Sequence, residues 1–271
     1  MKRAGRFARG MLGAGLAFLY LPIAALIVYS FNASQAVGVW GGFSTRWYGA
    51  LLDDEQILAA AWLSLRVAAL NASLAALLGT LAAIALVRFG AFRGRALFAA
   101  LTTAPLVMPE VILGLSALLT FVALEGLIGW PAGRGATTIV IAHVTFCMAY
   151  VAVIVQSRLA GQDPALEEAA LDLGATPAVA FLRVTLPLIA PAVAAGWLLA
   201  FTLSLDDLVV ASFVSGPGAS TLPMVIYSKV RLGLSPEINA LATLLVAAVA
   251  LTLAISAWLM LRGSARSNGQ D

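Results

Sequence analysis

The chain has 271 residues, of which 62% are hydrophobic and only 11% charged, and its mean hydropathy is +0.98. Soluble domains carry roughly a quarter charged residues, so this composition excludes an ordinary soluble protein. A single cysteine, Cys147, excludes an intramolecular disulfide and most metal-binding frameworks. We therefore predict an all-α integral membrane protein that crosses the bilayer several times.

Six apolar stretches are long enough to cross a roughly 30 Å hydrocarbon layer as helices. In chain order, the predicted spans of a single transmembrane domain (1–271) are residues 11–31, 57–87, 96–124, 137–156, 190–214 and 236–261. The first follows a basic start, as a secretory signal would. We nevertheless expect it to be retained as a span, because it is about 20 residues long and a good cleavage site does not follow. After it, Trp40, Trp47 and Tyr48 are typical of a membrane interface.

The positions of the basic residues predict the orientation. With a cytoplasmic N-terminus, 11 of the 16 Lys and Arg residues fall in inside segments and four in outside segments, while Arg66 lies within the second span. The inside residues are Lys2, Arg3, Arg6, Arg9, Arg88, Arg93, Arg95, Arg158, Arg183, Arg262 and Arg266. This bias predicts cytoplasmic termini and a cytoplasmic segment 162–187. The net charge of +3 is thus a topology signal, and we expect no nucleic-acid partner.

The charged segment 162–187 contains signals for two short helices. Asp163-Pro164 and Thr176-Pro177 each offer an N-cap followed by a proline at the first helical position. Gly174 is placed to end the first helix in the left-handed conformation. These features fit an ordinary loop and a docking surface equally well.

The sequence shows no motif for ATP hydrolysis or for other catalysis. Its two lysines, Lys2 and Lys229, do not belong to a phosphate-binding loop, and the serines show no nucleophile motif. His143 has no neighbours at metal-ligand spacing. We predict no catalytic residue and no metal site, and we expect His143 to be a hydrogen-bond partner between helices, with a ligand or proton-relay role as the alternative.

Acidic residues within the predicted spans have two possible explanations. An Asp near the bilayer centre costs roughly 2.5–3.5 kcal/mol, so Asp206 and Asp207 of the fifth span require an explanation. One explanation is a negative lining for a cationic solute, to which Glu110 after Pro109 would add. The other is structural: one aspartate pairs with Arg66 or caps a broken helix, and Glu110 forms a local hydrogen bond at the proline break.

The spacing within segment 162–187 is more specific. Glu168-Ala169-Ala170, then three residues, Gly174, then nine, Val184, one residue and Leu186-Pro187 match EAA-x3-G-x9-I-x-LP, with Val in place of Ile. This pattern resembles the signature of bacterial ABC importer permeases. Residues 200–243, which include SLDD, and PLVMPEVILGLSALL in the third span are similar to putrescine/spermidine importer permeases, and to their second permease subunit in particular.

The resemblance implies a type I importer permease fold in the bacterial inner membrane, with cytoplasmic coupling helices at 162–187. It implies three kinds of partner besides lipid: an ATP-binding subunit dimer, which would hold ATP and Mg, a second homologous permease, and a periplasmic polyamine-binding protein. This chain itself would bind no cofactor. Two alternatives stay open, a permease of the same architecture for another solute and a secondary cation transporter.

The same resemblance implies roles for particular residues. Those that would dock the ATPase are Glu168, Ala169, Ala170, Gly174, Leu186 and Pro187. Within that group, Glu168 would fix the short helices by local hydrogen bonds. Asp206, Asp207 and Glu110 would lie along the polyamine pathway.

Overall fold

The computed structural model describes residues 2–36, 38–233 and 236–267, and side chains within 7–36, 38–233 and 236–251. Helices make up the regular secondary structure of these ranges. They are α1 (Lys2–Tyr29), α2 (Arg46–Asp53), α3 (Glu55–Arg88), α4 (Arg95–Thr103), α5 (Glu110–Ile128), α6 (Ala136–Ala160), α7 (Ala165–Asp172), α8 (Pro177–Ala180), α9 (Leu186–Leu205), α10 (Val209–Val214), α11 (Leu222–Leu232) and α12 (Pro236–Ser267). The all-helical prediction is confirmed.

Within the described ranges, five helical segments are long and apolar enough to cross a membrane. They are Phe7–Tyr29, Glu55–Arg88, Glu110–Ile128, Ala136–Ala160 and Pro177–Leu205. The predicted sixth span falls in α12, where Pro236–Leu251 forms a shorter apolar stretch. The count of six spans therefore stays a prediction.

The predicted third span, 96–124, is divided into two helices. α4 ends at Thr103, a single 3₁₀ turn covers Ala104–Leu106, and α5 begins at Glu110 with Pro109 as its N-cap. Pro105 and Pro109 lack the N–H that a continuous helix needs, and each disfavours helical backbone in the residue before it. The prolines therefore interrupt the span.

The predicted fifth span, 190–214, is interrupted near its C-terminal end and begins earlier than predicted. α9 stops at Leu205 and α10 starts at Val209, so the aspartates lie at an interruption. At the other end, α8 continues through a π-helical turn, Phe181–Thr185, into α9. Leu186 and Pro187 therefore lie inside the continuous helical segment Pro177–Leu205 rather than at the end of a loop. The wider π turn accommodates Pro187, whose ring and missing N–H are incompatible with a regular helical bond to Arg183.

The chain forms two compact units. The first comprises the described residues of 1–58 and 226–271, in which α12 packs on α1 and α2. Its loop after α1 is organised by Asn32, which bonds to Ser34, Val39 and Gly41. A hydrogen bond from the Lys229 ammonium lowers the pKa of the Asp54 carboxyl, which favours the ionised carboxylate in this pair.

The second unit, Ala59–Val225, has its core between α3, α6 and α9. Small residues allow these helices to approach closely, as in other membrane bundles. A Cβ at Gly79 of α3 would lie 2.7 Å from the Met148 carbonyl oxygen and 2.8 Å from Val151 Cβ on α6. A second apolar cluster joins α3, α5, α6 and α10.

We expect Gly79→Ala to destabilise the protein by about 1–3 kcal/mol, because the added methyl overlaps rigid backbone. Gly126→Ala is the matched control, since that helical glycine has no heavy atom within 4 Å of an added Cβ. The control should be neutral or stabilising by up to about 1 kcal/mol. Thermal unfolding in detergent compares the two variants, and equal melting temperatures would contradict the close α3–α6 contact.

Candidate functional site

A cavity of about 460 Å³ lies where the two helix interruptions face α6. Its lining comes from the breaks at 105–110 and 206–208, the ends of the adjoining helices, and two aromatic residues of α6. The lining residues are Pro105, Leu106, Met108, Pro109, Glu110, Leu113, Phe146, Tyr150, Leu203, Asp206, Asp207, Leu208 and Val209. The structure thus brings together Glu110, Asp206 and Asp207, the three acids singled out in the sequence.

The cavity lining carries acidic side chains and includes neither Lys nor Arg. Glu110 is exposed in the first turn of α5, where the positive end of the helix dipole favours a carboxylate. Phe146 and Tyr150 add aromatic faces, which attract cations. Such a lining suits a solute that is positively charged and has an apolar portion.

Asp207 is the N-terminal anchor of α10. Its Oδ1 accepts from the Val210 N–H at 3.3 Å and its Oδ2 from the Ala211 N–H at 2.7 Å. Oδ2 also lies 3.1 Å from His143 Nε2, and the residue is only 8% exposed. These bonds satisfy N–H groups that a helix start leaves without partners. The alternative in which one aspartate caps a broken helix therefore holds for Asp207.

His143 fixes this cap from α6. The imidazole is fully buried and its Nδ1 lies 2.7 Å from Ser204 Oγ of α9. With Asp207 ionised, Nε2 must carry a proton, because a carboxylate only accepts. In the neutral ring Nδ1 then accepts from the Ser204 hydroxyl, so the two bonds fix the tautomer and the ring orientation. His143 is thus a hydrogen-bond partner between helices, as its isolation in the sequence suggests.

Asp206 differs from its neighbour in both exposure and position. Its side chain is exposed towards the cavity, and the residue is the C-cap of α9. The negative end of a helix dipole disfavours a carboxylate there. Helix stability therefore does not account for Asp206. The other structural alternative, pairing with Arg66, is wrong: among the described residues Arg66 is exposed and forms no ion pair.

The second candidate site is the helical hairpin formed by α7, α8 and the turn between them. Asp163 Oδ1 accepts from the Ala165 N–H, and Thr176 Oγ1 caps α8 by accepting from the Val179 N–H. Gly174 has φ +88°, the left-handed conformation that ends α7. The Ala175 N–H then bonds the Ala170 carbonyl, completing a tight C-terminal turn. The predicted signals at Gly174 and Thr176-Pro177 are confirmed, whereas α7 begins at Ala165, one residue later than predicted, with Pro164 as its N-cap.

The hairpin leaves apolar side chains uncovered in the isolated chain. Leu166 is 52% exposed and Leu173 is 89% exposed, and Ala169 between them is also exposed. Exposed leucines beside small residues form a surface on which another protein can pack. Ala170, Leu186 and Pro187 are half-buried or exposed on the same segment.

One expectation for the hairpin is wrong. Glu168 is exposed, and its side chain forms no hydrogen bond with the described part of the chain, so it does not fix the hairpin. Its neighbour Glu167 does so instead, through an ion pair with Arg88 at the end of α3. Sequence reasoning missed this pair because 79 positions separate its members. In the sequence, the positive charge of Arg88 indicates a cytoplasmic position, but it does not identify Glu167 as the partner.

Comparisons with known proteins agree on one family. The profile of the family described as "binding-protein-dependent transport system inner membrane component" matches residues 75–266. The chain is 62% identical to the putrescine transport system permease protein PotI of Escherichia coli (strain K12) over 248 residues, 92% of this chain and 88% of PotI. It is 42% identical to the spermidine/putrescine transport system permease protein PotC of Shigella flexneri, covering 98% of both chains.

The fold also resembles that of a solved transporter. A chain from the crystal structure of a bacterial ABC transporter involved in the import of the acidic polysaccharide alginate aligns with a TM-score of 0.74. The alignment covers 94% of this chain and 95% of that chain, at 17% identity. At this identity the likeness concerns the fold alone.

We expect Asp207→Ala to lower the unfolding free energy by about 2–4 kcal/mol, because it removes a helix cap and leaves His143 Nε2 buried without an acceptor. Asp206→Ala is the matched control and should change it by no more than about 0.5 kcal/mol. Thermal melts of both variants in the same detergent make the comparison. Similar losses for the two would contradict the separate positions of the adjacent carboxylates.

Proposed function

Since the chain belongs to the family of binding-protein-dependent transport system inner membrane components, we propose that it is the ABC importer permease that carries polyamines, putrescine or spermidine, from periplasm to cytoplasm. The observation that carries the choice of cargo is the cavity walled by Glu110, Asp206 and Asp207 without a Lys or Arg. The printed functions of the relatives, putrescine and spermidine/putrescine transport, agree with a cationic cargo.

In this proposal the two aspartates have different tasks. Asp206 meets an ammonium group of the cargo, because its carboxylate is exposed to the cavity and its position does not serve the helix. Glu110, at the interruption between α4 and α5, adds a second acidic contact. Asp207 contributes negative charge from the wall while its oxygens hold α10 and His143. Phe146 and Tyr150 contact the methylene chain and the cation.

The driving force comes from partner proteins. We propose that Glu168, Ala169, Ala170, Gly174, Leu186 and Pro187 form a cytoplasmic surface that docks on an ATP-binding subunit, which holds ATP and Mg. A second, homologous permease completes the pathway. A periplasmic polyamine-binding protein delivers the cargo against residues 32–56 and 215–236. Both termini lie in the cytoplasm, as the distribution of basic residues predicts.

Transport follows an alternating-access cycle in this proposal. ATP binding closes the ATPase dimer and moves the hairpin as a nearly rigid lever, since the Thr176 cap of α8 and the Gly174 turn fix its shape. The interruptions at 104–109 and 206–208 supply places where the spans can bend, because backbone there lacks the continuous helical bonds. The cavity between them is then exposed to each side in turn.

Reconstitution with the partner subunits and a solute panel tests this function. We expect ATP-dependent uptake of putrescine or spermidine into proteoliposomes and none of anionic or neutral solutes. Asp206→Asn and Glu110→Gln should raise the apparent KM for the polyamine about tenfold, because each removes a charge that faces the cation. Glu125→Gln, on the same helix as Glu110 but outside the cavity lining, is the matched control.

Two results would count against the proposal. Uptake of a neutral or anionic solute in place of polyamines would reject the cargo. Unchanged kinetics in both Asp206→Asn and Glu110→Gln would reject the acidic cavity as the cargo pathway.

Gly174→Pro should abolish ATP-dependent uptake while the protein still inserts in the membrane. Proline is confined to a φ near −65°, whereas Gly174 has φ +88°. Gly174→Asn is the control, because Asn tolerates the left-handed conformation, and it should retain most of the transport. Uptake and co-purification of the ATPase subunit are measured for each variant. Wild-type uptake by the proline variant would eliminate the lever role of the hairpin.

A further inference from the structure

We propose that Arg88 is a positioning residue that fastens α7 to the C-terminal end of α3 and so couples movement of the hairpin to the helical core. This inference rests on the proposed function, because it concerns how the docked ATPase acts on the spans. Arg88 Nη2 lies 3.2 Å from Glu167 Oε2, and the two side chains are only 23% and 30% exposed. The pair therefore links two elements at a largely covered contact.

The surroundings of Arg88 indicate that its side chain is held in place. Its Nε is buried and its Nη2 contacts Glu167, so the guanidinium lies against the protein rather than in water. A basic residue needed only for membrane orientation would extend into water.

The two helices favour the charges that they present to each other. Arg88 is the last residue of α3, where the helix dipole favours a cation, and Glu167 lies in the first turn of α7, where it favours an anion. Each charge is thus stabilised by its own helix before the pair forms. The ion pair consequently joins the end of one helix to the start of the other in a defined geometry.

The other attachments of the hairpin explain why this link matters. α7 packs on α8 and on the π-helical turn, which continues directly into α9. At the same end of the unit, Arg158 Nε of α6 donates to the Leu188 carbonyl of α9 at 3.2 Å. Arg88 therefore adds α3 to α6 and α9, the three helices that share the core. A push on α7 then moves the three together.

Neighbouring arginines in the same connection supply a contrast. Arg95 Nη2 donates to the Leu86 carbonyl at 2.9 Å and so covers one of the free carbonyls at the end of α3. Arg93 is exposed and, within the described part of the chain, has no ion-pair or hydrogen-bond partner. Arg93 thus carries the same charge in the same short connection without the contact to α7.

Charge reversal tests the coupling role in the reconstituted importer. We expect Arg88→Glu and Glu167→Arg each to lower polyamine uptake about fivefold or more, and to raise the ATP hydrolysed per polyamine transported. The ATPase subunit should still co-purify, because the exposed face of α7 is unchanged. The double variant, Arg88→Glu with Glu167→Arg, should recover part of the lost uptake, because the pair is restored with its signs exchanged, although each charge then opposes its own helix dipole. Arg93→Glu controls for charge and orientation and should transport normally.

The outcomes are distinct. Rescue by the double variant, with normal transport by Arg93→Glu, supports the coupling contact. A raised ratio of ATP hydrolysed to polyamine transported in the single variants supports it further, because a merely structural role would not change that ratio. Equal transport by Arg88→Glu and Arg93→Glu, or a double variant no better than either single one, would overturn this inference and leave the proposed function intact. Absence of ATP-dependent uptake by the wild type would overturn both.

Discussion

The membrane interior offers no hydrogen-bond partners to unpaired backbone N–H and C=O groups. Wherever a spanning helix is interrupted, the protein itself must therefore supply those partners. The break at 206–208 depends on this constraint. Asp207 accepts from Val210 and Ala211, and His143 fixes its carboxylate from α6. Because that cap holds α10 in place, the wall of the acidic cavity is held in place as well.

The two adjacent acids occupy different environments although they are neighbours in the sequence. Asp207 is buried and its oxygens are used within the protein, whereas Asp206 is exposed at a helix end that disfavours negative charge. A residue that opposes the local preference of its helix is expected at a functional site. The cavity thus exposes the Asp206 carboxylate, while the Asp207 carboxylate is used for hydrogen bonds within the protein.

The hairpin and the cavity lie on the same close-packed block. α3, α6 and α9 meet through small residues such as Gly79 and Gly196, so they have little freedom to slide independently. The hairpin joins this block through the continuous helix into α9 and through Arg88. Movement imposed at the hairpin can therefore reach the helix breaks that form the cavity, since both belong to one packed unit.

The sequence by itself determined the features that depend on neighbouring residues: the helical membrane class, the two capped helices and Gly174 of the hairpin, and the acids of the cavity. Caps, turns and apolar length are local properties, so they can be recognised without a fold. Only the tertiary structure decided that Asp207 serves His143, that Glu167 rather than Glu168 fixes the hairpin, and that the third and fifth spans are interrupted where they form one cavity. These outcomes depend on partners that are distant in sequence, and local patterns contain no information about which buried donor meets which acceptor.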